Sequence, residues 1–133
     1  MLEDITVGTT GTLERLITEE YCTTRGDYQI FSTPDLVLLL EAAAIEALAP
    51  HLPEHQSSVG TTIDIAHSAA TLKGQTVTCT ATVTEVDRRR IVFDIVATDG
   101  IDTVCTGSHE RFVVDLEKFG ARLAEKAEKV ASS

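Results

Sequence analysis

The sequence predicts an α+β fold in which an antiparallel sheet wraps one long apolar helix. Three observations predict it: a helix marked at both ends and apolar on nearly every side, four β-rich segments in hairpin succession after it, and an amphipathic helix at the end. The first helix, residues 33–50, reads TPDLVLLLEAAAIEALAP. Thr33 can act as N-cap, Pro34 suits the first helical position, and Asp35 complements the macrodipole. Pro50 stops the helix and biases Ala49 away from helical angles. At 1.5 Å per residue such a helix is about 24 Å long, too short to cross a membrane comfortably. Apolar residues on almost every side predict a helix buried on almost every side. Glu41 is the exception, set among Leu38, Ile45 and Leu48, where a carboxylate needs partners or a raised pKa. Glu46 can reach solvent near the helix end.

Ahead of the helix, residues 1–20 mix Thr, Val, Ile and Gly, with a strand over residues 13–18. Residues 23–27 are a polar loop containing Gly26, and residues 28–31 an extended lead-in. After the helix, residues 51–57 form a loop and residues 58–67 alternate as a strand. A turn over residues 71–75 leads to a β-branched strand over 77–86; residues 87–90 make a hairpin tip and 91–98 return. Asp99-Gly100 is a turn signal before a last strand over 103–114. Residues 115–130 switch to helical spacing through Leu116, Phe119, Leu123 and Ala127, and residues 131–133 fray. One sheet wrapped around a central helix is the hotdog architecture, and the sheet surface it leaves uncovered predicts a homodimer.

The length of 133 residues fits a single domain, residues 1–133. A formal charge of −10 argues against a broad nucleic-acid surface, which needs a basic face. Cys22, Cys79 and Cys105 contain no CxxC and one is left over from any disulfide scheme, as for core residues in a reducing compartment. No secretory signal, lipidation motif or membrane span is visible, and a soluble cytoplasmic protein is expected.

The polar residues stranded on apolar elements are Thr33, Glu41 and His67. A histidine titrating near neutrality with a carboxylate to orient it is the pair a hydrolase needs. Thr33 lies two turns before Glu41, at a helix N-terminus whose N–H groups and dipole can stabilise an oxyanion. The three become neighbours if the strand carrying His67 crosses this helix or its copy in a partner. Each also has a plain structural reading. Thr33 can be a cap alone, Glu41 a carboxylate satisfied by backbone donors, and His67 a structural strand-end histidine. Gly60 within a strand can mark only a bulge, and Arg88, Arg89 and Arg90 only a solvated hairpin tip.

Four stretches weigh on that choice: STPDLVLLLEAA, SSVGTTIDIAHSAAT, EVDRRRIVF and GSHERFVVDLEKF. Together, over roughly residues 28–120, they resemble the fluoroacetyl-CoA thioesterase-like family. The resemblance implies hotdog dimers that hydrolyse acyl-CoA thioesters, with Thr33, Glu41 and His67 as catalytic residues. It matches Gly60 to the glycine that lines the substrate carbonyl and Arg111 to the arginine of the HER motif. Members specialised for fluoroacetyl-CoA carry aromatic residues ahead of the helix; here that stretch is TTRGD, and Ala42, Ala43 and Ala44 follow the acid, so the acyl group is left open. His67 aided by Glu41 would deprotonate Thr33 or a water, the covalent and general-base routes both remaining open. The CoA thiolate leaves readily, so no cofactor and no metal is expected. Its phosphates need local cations, for which Arg88, Arg89, Arg90, Lys73 and Arg111 are the candidates. The competing reading is a hotdog protein that binds acyl-CoA or another hydrophobic ligand without turnover. Against a hotdog hydratase, this chain has no Asp-x-x-x-x-His pair on the loop after the helix, and a purely structural dimer would release no thiol.

Overall fold

The computed structural model describes residues 4–133, so the first three residues of the expected domain lie outside the described residues. Strand β1 (Thr10–Leu16) leads through a 3-10 turn to a hairpin of β2 (Cys22–Arg25) and β3 (Tyr28–Phe31). Helix α1 (Thr33–Leu48) follows, then β4 (Gln56–His67), β5 (Thr76–Asp87), β6 (Arg90–Thr98), β7 (Thr103–Asp115) and α2 (Leu116–Ala131). The main sheet is antiparallel with strand order β1-β5-β6-β7-β4. It is the sheet-around-helix arrangement that the apolar pattern predicts.

Period-two burial on β5 and β6 turns Val77, Cys79, Ala81 and Val83 and then Ile91, Phe93, Ile95 and Ala97 inward. These cover Leu36, Leu39, Leu40, Ala43, Ala44, Ala47 and Leu48 of α1. The helix lies so close to β1 that a Cβ on Gly11 would stand 2.4 Å from both the Ala43 carbonyl oxygen and the Ala47 nitrogen. Only glycine fits that crossing.

Four local expectations are corrected. The polar stretch before the helix is no loop: Cys22–Arg25 pairs with Tyr28–Phe31 around Gly26, whose φ of 60° suits the turn. Strand β1 begins three residues earlier than its apolar alternation suggested. The N-cap of α1 is Ser32, whose Oγ accepts from the Asp35 N–H at 3.2 Å and donates to the Asp35 carboxylate. Thr33 is the first helical residue. Finally, α1 is buried on one side only: Leu38 is 59% and Ile45 48% exposed, and Glu41 sits on that same open face.

Beside this face runs β4, an edge strand whose residues 60–64 are all exposed. Its ladder to β7 slips between Gly60 and Thr62, a bulge with Thr61 as the extra residue. Helix α2, capped by Asp115, has no buried residue. No described helix is long and apolar enough to cross a membrane.

Candidate active site

With Ser32 holding the cap, the Thr33 hydroxyl is released for another partner, and it finds one. Thr33 Oγ1 lies 2.8 Å from His67 Nδ1, joining the first residue of α1 to the last of β4. Burial pushes the His67 pKa below the usual histidine value, against a smaller opposing pull from the Ala69 backbone. The ring is therefore neutral, and basic, at neutral pH. Its other nitrogen, Nε2, is buried without a hydrogen-bond partner among the described residues. A buried ring nitrogen is normally satisfied. The pair lines a cavity of about 390 Å³ together with Ser32, Pro34, Ser68 and the β2–β3 hairpin.

The oxyanion role expected of the α1 N-terminus is narrowed by the same cap. Pro34 has no N–H, the Asp35 N–H is held by Ser32 Oγ, and the Leu36 N–H donates to the Ser32 carbonyl at 3.0 Å. Among the first-turn donors, that leaves the Thr33 N–H.

Glu41 has its own surroundings. Its Oε2 accepts from Arg111 Nη1 at 3.2 Å. Arg111 is 4% exposed and also donates to Ser58 Oγ at 2.8 Å and the Ser58 carbonyl at 3.1 Å. Its Nη1 lies 3.1 Å from His109 Nε2, and His109 Nδ1 lies 2.8 Å from the Thr62 carbonyl. A guanidinium only donates and a carbonyl only accepts, so His109 carries its proton on Nδ1. Burial first, then the Arg111 charge, lowers the His109 pKa and keeps the ring neutral, while the Thr62 carbonyl and nearby carboxylates pull the other way. Gly60 is the opening into this network: a Cβ there would stand 2.6 Å from Glu41 Oε2 and 3.3 Å from Arg111 Nη1. Glu41 and residues 60–63 line a second cavity of about 180 Å³.

Within one chain these are two separate clusters. Eight residues of helix put Glu41 about 12 Å along the axis from Thr33, and seven residues of strand put Gly60 more than about 20 Å from His67. Glu41 is bonded to Arg111, and no hydrogen bond joins it to His67. Thr33 and His67 are brought together; Glu41, Gly60 and Arg111 are brought together elsewhere.

The cations considered for CoA phosphates divide in the same way. Arg111 is buried and committed to Glu41, which removes it from that group. Arg90 is held by Glu110 at 2.6 Å and Glu85 at 2.8 Å. Lys73 pairs with Glu19 at 3.6 Å. Arg88, at the hairpin tip with φ of 60°, has no ion pair among the described residues. Arg89 faces a shallow groove with Lys118 and Arg122 of α2. Sequence reasoning missed Ser32, Ser58 and His109. The signal for His109 was present, since it precedes Glu110 and Arg111 in the HER run.

Comparison with known proteins bears on what such clusters belong to. Residues 8–117 match the family described as fluoroacetyl-CoA-specific thioesterase. The chain belongs to that family. The fluoroacetyl-CoA thioesterase of Streptantibioticus cattleyicolor is 43% identical over 98 residues, 74% of this chain and 70% of that protein. The solved fluoroacetyl-CoA thioesterase FlK superposes with a TM-score of 0.84 at 34% identity, covering 92% of this chain and 97% of that one. A hypothetical thioesterase-superfamily protein from Thermus thermophilus reaches a TM-score of 0.89 at 20% identity, over 97% and 98% of the two chains, which supports the hotdog fold alone. As a member of the thioesterase family, the chain is a thioester hydrolase.

Proposed function

We propose that the protein hydrolyses acyl-CoA thioesters at a site shared between two copies of the chain. Thr33 and His67 come from one copy, and Glu41, held by Arg111 beside Gly60, comes from the other. The observation that carries this reading is the Thr33–His67 pair, to which no carboxylate is bonded among the described residues, while Glu41 lies on the open face of α1. The surfaces needed to supply one are open: the Leu38–Glu41–Ile45 face of α1 and the exposed edge of β4. Antiparallel pairing of β4 with its copy, centred near Ile63 and Asp64, brings each His67 level with the partner's Gly60. A homodimer then covers both surfaces and completes two sites.

In that arrangement the partner's Glu41 faces the Thr33–His67 pair, and His67 Nδ1 is the base facing Thr33. His67 draws the proton from the Thr33 hydroxyl, or from a water in its place, and the nucleophile adds to the thioester carbonyl. The Thr33 N–H and the end of α1 face the developing oxyanion. The C–S bond breaks, CoA leaves as a thiolate and takes the proton from His67. Water supplies the hydroxyl of the product acid. The reaction uses no cofactor beyond the CoA of its substrate. Arg88, at the hairpin tip, is the cation offered to CoA phosphates, and the three free cysteines suit a cytoplasmic setting.

Release of free thiol from a panel of acyl-CoAs tests the reading. Wild-type protein is expected to release thiol, and Glu41→Gln to lower kcat by roughly 10²–10⁴-fold with fold and dimer intact. Glu41→Gln with wild-type turnover would make the carboxylate structural and overturn the shared site.

A further inference from the structure

The cavity beside Thr33 and His67 carries charge in one place. Of the side chains that line it only Arg25 is ionised, and no acid lines it, in a chain with 21 acidic and 11 basic residues. The rest of the wall is hydroxyl and hydrocarbon: Thr23 and Ser68, with Ile30, Phe31 and Ala70. Arg25 is not on a loose loop. It is the last ladder residue of β2, paired with Tyr28, in a hairpin tied down where the Phe31 N–H donates to the Thr71 carbonyl at 2.9 Å. Its Nη1 donates to the Thr24 carbonyl at 2.8 Å, and it has no ion pair among the described residues. A guanidinium has five N–H donors, so one backbone bond leaves most of its fork unused.

Such a fork matches a carboxylate bidentately. The surrounding net charge of −10 repels anions, so a local cation is what lets one be held here. We infer that the site takes acyl groups ending in a carboxylate, that is, CoA monothioesters of short dicarboxylic acids. Arg25 receives the free carboxylate while the thioester carbonyl lies at Thr33 and His67. This rests on the thioesterase reading above. Hydrolysis adds water across the C–S bond and releases a dicarboxylate and CoA.

The test compares glutaryl-CoA with valeryl-CoA, equal in carbon number and different in the terminal carboxylate, for the wild type, Arg25→Gln and Arg25→Glu. The kcat/KM ratio of glutaryl to valeryl is expected to exceed one in the wild type. It falls roughly 10- to 100-fold in Arg25→Gln, the worth of a hydrogen bond to a charged group, and further in Arg25→Glu. The same shift is expected with the matching pantetheine thioesters, which carry no CoA phosphates. A ratio unmoved by either substitution overturns the inference. So does an equal loss on both CoA thioesters that vanishes with pantetheine, since Arg25 would then be reading CoA. Failure of the wild type on every thioester instead removes the thioesterase reading itself.

Discussion

Ser32 and Thr33 are adjacent hydroxyls at one helix end, and the structure divides two tasks between them. Ser32 caps, so Ser32→Ala is expected to cost about 0.5–2 kcal/mol of stability. Thr33 is left for His67, so Thr33→Ala should keep a near wild-type melting temperature while kcat falls; a drop in stability matching that of Ser32→Ala would return Thr33 to capping. His109 makes a similar point at the other cluster. Gln can keep an acceptor near the Nε2 position for Arg111, whereas Asn can keep only the donor toward Thr62. Turnover should therefore survive better in His109→Gln than in His109→Asn, with KM little changed in either. Equal kcat in the two variants would mean that His109 merely fills space against Phe93, on which it stacks at 6.0 Å. Both His67 and His109 have lowered pKa values in the folded chain. The unfolded chain therefore takes up protons first as pH falls, so their contribution to stability is whole above about pH 6.5 and is lost below it toward the folded values. Urea unfolding at fixed protein concentration should show a flat plateau above neutrality and a decline beginning near that pH. Neither the division between Ser32 and Thr33 nor the His109 bridge was legible from residue types, because STP offers two equivalent hydroxyls and His109 meets its partners only through β4–β7 pairing.

Strands and helices were read most reliably where one local periodicity runs the length of the element. Strands β5, β6 and β7 and both long helices lie within two residues of the bounds their periodicity implies, because β-branched alternation and helical spacing are local signals. The β2–β3 hairpin was not legible, since TTRGD is polar throughout and its strands gain their order from cross-strand bonds and the anchor at Thr71. The open side of α1 was hidden for a different reason. Leu38 and Ile45 look like core residues in a sequence, and whether an apolar residue meets its own chain or another is not encoded in its type. Two glycines separate packing from chemistry at this scale. Gly11→Ala drives a Cβ into the backbone of α1, which cannot yield, and should unfold or severely destabilise the protein. Gly60→Ala meets instead the end of the flexible Glu41 side chain. Its circular dichroism and mass in solution should stay close to wild type while turnover drops at least about tenfold, the measure of a misplaced catalytic group. Full activity in Gly60→Ala would show that the opening beside the bulge has no part in the reaction.

The whole molecule poses the question of where the carboxylate of the proposed catalytic set comes from. A chain of 133 residues builds both clusters but separates them along α1 and β4, and leaves apolar and edge-strand surface exposed between them. Isologous pairing about a two-fold axis uses one patch on both copies, so a single mode of pairing completes both sites. Light scattering at micromolar concentration should give twice the chain mass, and Leu38→Lys combined with Ile45→Lys should lower both the mass and the activity. The family resemblance made Thr33, Glu41 and His67 legible as a set; the separation of Glu41 from the Thr33–His67 pair within one chain was not, because sequence spacing cannot distinguish a neighbour in the same chain from one in its copy. The most direct measurement uses two inactive subunits. Glu41→Gln and His67→Ala chains, carrying different affinity tags, are co-expressed and the mixed dimer is isolated. One of its two sites then joins an intact Thr33–His67 pair to an intact Glu41, and thiol release should recover to about half the wild-type rate per dimer. If the three residues worked within one chain, both sites of the mixed dimer would be broken, and its activity would stay at the floor of either parent.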